Sequence, residues 1–267
     1  MEAIPILKAQ GLCKNFGAVT AAVDISAVIE KDAVVGLIGA NGAGKTTFIN
    51  MITGYLKPDS GTIHFQDRDI TPLLPREITR LGVCRSFQIP QLYDSISVEE
   101  NILVGLGIVS LVNRKSLFSR GPKNFSASAG EAAESIMERF GLLDYRNKPA
   151  VVLPGGVRKL LDIAMSMVGK PQIMLLDEPT SGINANQKFG IMDMIMEALR
   201  AEGVTVLFVE HDMDIVSRYS SRVLAFYEGS VIADGGPVEV LADREVRQYV
   251  IGEENRRSAK RRDSGNA

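Results

Sequence analysis

The sequence predicts an α/β protein with an inserted helical segment. Three observations carry that expectation. A short apolar run at 33–38 (AVVGLI) leads directly into a glycine-rich stretch, the signals from about 97 to 168 are mostly helical, and β/α alternation resumes after Pro171. No internal repeat is apparent.

Each element has its own signal. A continuous apolar run is the pattern of a strand buried on both faces, and this one follows two shorter β-type runs at 6–12 and 23–29. A helix is expected over 45–53, then a turn at Pro58, Asp59, Ser60 and Gly61, then a strand at 62–65. In the middle, Val98, Ile102 and Leu103 share one helical face, and Ala132, Ile136 and Phe140 share another. Between them the polar stretch 113–130 (NRKSLFSRGPKNFSASAG) reads as a flexible connection. Strands are expected at 173–176 and 204–209, with an amphipathic helix around 188–200 between them. A last hairpin, 223–227 with 231–233, turns at Glu228-Gly229-Ser230.

A chain of 267 residues can bury one sizeable core with a smaller attached subdomain. The expected division is a single domain over 1–250, with a core at 1–87 and 169–250, a helical subdomain at about 88–168, and a basic, disordered tail at 251–267. Lys and Arg number 30 against 32 acidic residues, a net charge of −2, which leaves no basic excess for nucleic acid. The one basic cluster, 256–262 (RRSAKRR), lies in a Ser-, Gly- and Asn-containing tail and reads as solvated. Cys13 and Cys84 form no metal spacing and read as thiols in a reducing cytosol. The N-terminus lacks a signal-peptide pattern, and no apolar stretch approaches the roughly 20 residues of a spanning helix. A soluble protein is expected, with any membrane association running through a partner.

Residues 39–47 (GANGAGKTT) satisfy G-x-x-x-x-G-K-[ST] through Gly39, Gly44, Lys45 and Thr46. Glycines let the backbone curl so that the N–H groups of Ala40, Asn41, Gly42, Ala43 and their neighbours face phosphate oxygens. The following helix offers its unpaired N–H groups and positive dipole end to the anion. Lys45 brings a cation to the terminal phosphates, the Thr46 hydroxyl can coordinate Mg2+, and Thr47 completes the loop. The loop follows a predicted buried strand and precedes a helix, the context that gives the motif its meaning.

A second constellation lies downstream. The apolar strand 173–178 (IMLLDE) ends in two acids. Asp177 is suited to hold Mg2+ or its water shell, and Glu178 to orient and deprotonate an attacking water. His211 follows the next apolar strand and would share its sheet edge if the strands are parallel, where its ring can contact a γ-phosphate and fix the water.

With these residues in place the chain resembles the nucleotide-binding subunits of ABC transporters, from about Leu7 to Ile251. The resemblance implies a P-loop NTPase core with an N-terminal antiparallel β subdomain and an inserted α-helical subdomain. It implies that Phe16 stacks on adenine and that Gln88, in SFQ, reaches Mg2+ and the water. Residues 153–159 (LPGGVRK) stand in the place of the signature motif, so Gly155 and Gly156 would present N–H groups to the γ-phosphate held by another subunit. Residues 181–184 (SGIN) correspond to the D-loop. The signature departs from the usual LSGGQ: Pro154 has neither a hydroxyl nor an N–H to offer, and Val157 replaces Gln.

Longer matches around SFQIPQLYDSISVEENILVG and VEHDMDIVSRYSSRVLAFYEGSVIADGGP are similar to the branched-chain amino acid import branch, with urea-import ATPases close by. That implies ATP and Mg2+ as cofactors and a homo- or heterodimer with a second ATP-binding subunit. It further implies two permease subunits and a periplasmic or extracellular binding protein acting indirectly. The location would be peripheral, on the cytoplasmic face of the inner membrane. The coupling surface to the permease falls at 88–101, where Tyr93, Ile96 and Val98 are candidate apolar contacts. Import of urea or small organic acids, lipopolysaccharide-type export and, more distantly, a soluble ABC ATPase acting on nucleic acid stay open as alternatives.

Overall fold

The computed structural model describes residues 4–86, 92–112 and 122–252. In chain order the elements are β1 (Pro5–Phe16), β2 (Val19–Glu30), β3 (Val34–Gly39), α1 (Lys45–Ile52), β4 (Ser60–Phe65), β5 (Arg68–Asp69), α2 (Pro75–Leu81) and β6 (Val83–Arg85). They continue with α3 (Val98–Val112), α4 (Pro122–Arg139), α5 (Gly155–Met167), β7 (Ile173–Asp177), α6 (Ala185–Ala201), β8 (Thr205–Val209) and α7 (Met213–Tyr219). The last are β9 (Arg222–Tyr227), β10 (Ser230–Gly235), α8 (Pro237–Ala242) and a short turn, α9 (Arg244–Val246), which runs on into a π-helical segment at Arg247–Ile251. Among the described residues no helix is long and apolar enough to cross a membrane.

The chain divides into two compact units, Met1–Ile78 with Thr205–Ala267, and Thr79–Val204.

In the first unit, β2, β1, β4 and β5 form an antiparallel sheet in that order. Leu7, Leu12, Ile25, Ile29, Ile63 and Phe65 are among the largest of its buried side chains. β3 runs between β8 and β9, parallel to both, and β10 returns antiparallel to β9. Every residue of β3 and β8 is buried, which is why both read as continuous apolar runs rather than alternating ones. The β9–β10 turn places Glu228 and Gly229 at positive φ, 46° and 80°, the requirement of a type I′ hairpin.

In the second unit, β6 and β7 pair in parallel, with Arg85 opposite Leu175. The expected helical face of Ala132, Ile136 and Phe140 is displaced in register. The buried stripe of α4 is Ala129, Ala133 and Met137, continued by Phe140 just past its end, while Ala132 and Ile136, with Phe140, line a cavity of about 210 Å³ beside α3 and α5. Helix α4 also begins at Pro122, so the expected connection at 113–130 is helical from 122 onward. Proline suits a first helical position, and the alanines that follow favour helix despite their polar neighbours.

Helix α3 opens with a reciprocal cap. The Ser97 N–H donates to Glu100 Oε2 at 2.8 Å, and the Glu100 N–H donates to Ser97 Oγ at 3.2 Å. The Ser97 backbone N–H first, and then the Ser97 side chain, hold the Glu100 carboxyl below its ordinary value. Asn101, wholly buried, ties down the preceding loop. Its Nδ2 donates to the carbonyls of Tyr93 at 3.1 Å and Ser97 at 2.9 Å, and its Oδ1 accepts from the Tyr93 N–H at 2.9 Å. Tyr93 is left 49% exposed, whereas Val98 is fully buried and belongs to the core rather than to a coupling surface.

Cys84 is buried in β6, and burial pushes its thiol up to about 11. At pH 8 a thiol reagent is therefore expected to label the half-buried Cys13 in native protein, and Cys84 only after unfolding. Equal, rapid labelling of both in native conditions would contradict this.

Candidate active site

In the first unit, the loop begins where β3 runs closest to β9. Gly39 has φ 154°, and a Cβ there would stand 2.5 Å from the Phe226 carbonyl oxygen. Only glycine lets the strand pass at this distance and deliver the loop to the end of the sheet. The Ala43 N–H donates to the Ala40 carbonyl at 3.1 Å. The tip of the β9–β10 hairpin braces the turn: the Gly229 N–H donates to the Ala43 carbonyl at 3.0 Å, and the Val23 N–H to the Gly229 carbonyl at 2.9 Å.

Gly44, at φ 104°, is the N-cap of α1; it provides no side-chain cap, and the first turn holds no acid. The positive end of the helix is thus left for an anion. Lys45 is 6% exposed, and its Nζ donates to the carbonyls of Gly39 at 2.7 Å and Ala40 at 3.0 Å. A buried ammonium held at the start of a helix is suited to meet an anion in the loop. Ala40, Asn41, Gly42 and Thr46 are exposed, Thr47 is half-buried, and Ala43 and Gly44 are buried.

The register of β3 with β8 sets Leu37 opposite Val209, so the loop and His211 leave the sheet at the same edge. That is the carboxyl edge, where parallel sheets bind ligands. His211 is exposed, and its N–H donates to the buried Glu210 carboxylate at 3.2 Å. Phe16, at the end of β1, is 52% exposed, and the Lys14 ammonium lies 5.9 Å from its ring centroid.

The second unit carries the acids. Asp177 is the last residue of β7, and its Oδ2 accepts from Arg85 Nη2 at 2.7 Å. Lys159 of α5, 4% exposed, donates from Nζ to the Asp177 main-chain carbonyl at 3.3 Å. Glu178 follows with φ 45°, an unusual backbone state for a side chain of this size, just before Pro179. The turn closes with the Ser181 N–H donating to the Glu178 carbonyl at 3.0 Å, and Gly182 at φ 74° carries the chain into α6.

Pro154 is the N-cap of α5, its carbonyl accepting from the Arg158 N–H at 2.9 Å. Gly155 is exposed and Gly156 buried, close against Ile191 of α6. No side chain caps this helix start and no acid stands in its first turn. Arg158 anchors it, donating to the Ala150 carbonyl at 2.5 Å and to Asp94 at 2.6 Å. Gln88 lies outside the described residues. Among the described residues, no group of three or more His, Cys, Asp or Glu side chains could hold a metal by itself.

Arg85, Lys159, Arg158 and Asn101 escape the sequence reading. Arg85 directly precedes the SFQ run, but only the β6–β7 register reveals that it faces Asp177.

A family model described as ABC transporter matches residues 23–181. The high-affinity branched-chain amino acid transport ATP-binding protein LivG of Salmonella typhimurium is 35% identical over 255 residues, covering 93% of this chain and 98% of that protein. A probable LivG of Methanocaldococcus jannaschii is 34% identical over 256 residues, with 94% and 99% covered. A crystal structure of an ATP-binding cassette of an ABC transporter in its ADP conformation superposes with a TM-score of 0.80 at 32% identity. It covers 93% of this chain and 99% of that one. With a glycine-built phosphate loop on β3, a buried Lys45 inside it and an acid pair ending β7, the chain belongs to the ATP-binding subunits of ABC transporters.

Proposed function

We propose that this chain hydrolyses ATP as one of two ATP-binding subunits beneath two permease subunits of an importer. Its proposed cargo is branched-chain or related amino acids, delivered by an extracytoplasmic binding protein. The observation that carries the ATP reading is Lys45, a buried ammonium held on the carbonyls of its own loop at the carboxyl edge of β3. The import reading is supported by the end-to-end likeness to LivG proteins.

In this reading the N–H groups of Ala40, Asn41, Gly42, Ala43, Gly44, Lys45, Thr46 and Thr47 cradle the phosphates, Gly39 admits the chain, and Phe16 stacks on adenine. Thr46, Gln88 and Asp177 hold Mg2+. The residues suit a cation that arrives with phosphate oxygens and water rather than one caged by protein, since no cluster of protein acids is present among the described residues. Bound there, Mg2+ neutralises charge on the phosphate oxygens. Glu178 accepts the proton of the attacking water, His211 and Gln88 hold that water in line, and Gly155 and Gly156 reach the nucleotide of the second subunit. The proposed domain is 1–250 with a helical subdomain at about 88–168, peripheral on the cytoplasmic face of the inner membrane through its permeases. The 93–101 segment ordered by Asn101 is the described part of the proposed permease-facing surface, with Tyr93 its exposed apolar contact.

The test is reconstitution of the chain with its permeases and binding protein in liposomes. Leucine-stimulated ATP hydrolysis and leucine uptake are expected, both falling roughly 100-fold or more in Lys45→Ala, the order that loss of a phosphate clamp produces. Absence of hydrolysis in the wild type would overturn the enzymatic reading. Uptake of urea or a small organic acid in place of leucine would overturn the cargo alone.

A further inference from the structure

The second unit holds an ion pair that the proposed hydrolytic cycle does not use. Arg85 Nη2 stands 2.7 Å from Asp177 Oδ2, with the two side chains only 11% and 15% exposed. The pairing follows from the backbone. Ser86 donates its N–H to the Leu175 carbonyl at 2.9 Å, which locks the end of β6 beside β7 with Arg85 opposite Leu175. Asp177 lies two residues beyond Leu175 and therefore on the same face of the strand, within reach of the guanidinium. Lys159 adds a second buried cation at the Asp177 carbonyl, 3.3 Å away. The carboxylate at the end of β7 is thus already compensated by the Arg85 guanidinium.

We infer that Arg85 is a positioning residue that occupies the Asp177 carboxylate in place of Mg2+, so that the metal must displace it and the Mg2+ requirement of the site is raised. The inference rests on the reading of Asp177 as a metal-holding residue. A carboxylate this buried costs several kcal/mol to leave without a counter-charge, so a metal-free site needs a cation of its own. When a divalent cation arrives, two positive groups compete for one carboxylate in a medium of low polarity, where their mutual repulsion is strong. A guanidinium suits the exchange. It holds the carboxylate by directional hydrogen bonds and is weakly hydrated, so it can swing away without a large gain or loss of solvation. Without Arg85, Asp177 would stand more open to the metal.

The experiment measures binding of a fluorescent, non-hydrolysable ATP analogue to the full chain as a function of Mg2+ concentration, with a parallel titration in EDTA. In Arg85→Gln the Mg2+ concentration at half-saturation is expected to fall about tenfold, the order that release of one charge-assisted hydrogen bond is worth. Affinity for the metal-free analogue should stay within about twofold of the wild type, because Arg85 is not part of the phosphate loop. Direct binding of Mn2+, followed by its electron paramagnetic resonance signal, should show the same shift.

An unchanged Mg2+ dependence would overturn the inference. A raised half-saturation would do so too, since it would mean that Arg85 holds Asp177 in place for the metal. Should Arg85→Gln not fold, Arg85→Lys carries the test. It keeps the charge but loses the planar fork, and a fall of about two- to fivefold is expected. The two layers of the argument fail differently. If Asp177→Asn binds Mg2+ with the analogue as the wild type does, the reading of Asp177 fails and the inference with it. If Asp177→Asn weakens Mg2+ binding but the Arg85 variants leave it unmoved, the inference alone fails.

Discussion

Gly39→Ala is expected to lose a large share of the stability of the first unit and nearly all nucleotide binding. The added Cβ would sit 2.5 Å from the Phe226 carbonyl oxygen and 3.1 Å from the Ala43 Cβ, and φ 154° is a conformation that side chains rarely adopt. Backbone strain of about 1–3 kcal/mol joins overpacking of about 1–3 kcal/mol, against a typical total stability of roughly 5–15 kcal/mol. Backbone cannot yield here as a flexible side-chain end would, because β9 is hydrogen-bonded on both sides, to β3 and to β10. Gly42→Ala is the control within the same loop. Its φ of 81° carries a left-handed cost of about 1–2 kcal/mol, but nothing lies within 4 Å of its would-be Cβ. Urea unfolding of the two variants should therefore separate them by several-fold in free-energy loss. Equal losses would mean that close approach to β9 is not what demands glycine at 39.

Glu178 offers the second large effect, and it divides function from stability. In Glu178→Gln, hydrolysis is expected to fall by about 10²–10⁴-fold, the range of a lost general base, with nucleotide binding retained. Glu178→Gly should lose hydrolysis to the same degree, yet it removes the strain of a side chain held at φ 45°. That relief is worth about 1–2 kcal/mol and is partly offset by about 0.4–1 kcal/mol of extra freedom in the unfolded chain. Loss of the side chain's own contacts, about 0.5–1.5 kcal/mol for one hydrogen bond, works against that relief, so denaturant melts should show the glycine variant within about 1.5 kcal/mol of the wild type. A marked destabilisation would indicate that the Glu178 side chain holds the turn together. Retained hydrolysis in both variants would remove Glu178 from its proposed role.

The two strands most sharply legible in the sequence share one property: their burial is uniform. β3 and β8 are buried along their whole length, so a continuous apolar run marks each of them to within a residue. The glycine-rich loop at 39–44 stands out for a different reason, because Gly39, Gly42 and Gly44 all hold positive φ, which glycine adopts at least cost. Elements placed by long-range partners were not legible. β5 spans Arg68 and Asp69 alone, and β6 is three residues long, too short to show a period. The face of α4 was misread because Ala132 and Ile136 line a cavity while Ala133 and Met137 fill the core, a difference of one helical step between residues of similar character. Val98 looked equally suited to a surface and to an interior, and burial alone decided it. The sites of Arg85 and Lys159 needed the strand register and the helix packing before either cation could be set against Asp177.

The hairpin tip at Gly229 has a practical corollary for anyone modifying this chain. Tips of surface hairpins are ordinarily where tags, insertions and new termini are best tolerated. This one is spoken for on three sides: its N–H serves Ala43, its carbonyl serves Val23, and its Cα lies 3.2 Å from where a Cβ on Gly44 would be. An epitope or fluorophore spliced between β9 and β10 would pull on the phosphate loop itself. Labels intended to leave catalysis undisturbed belong elsewhere on the chain.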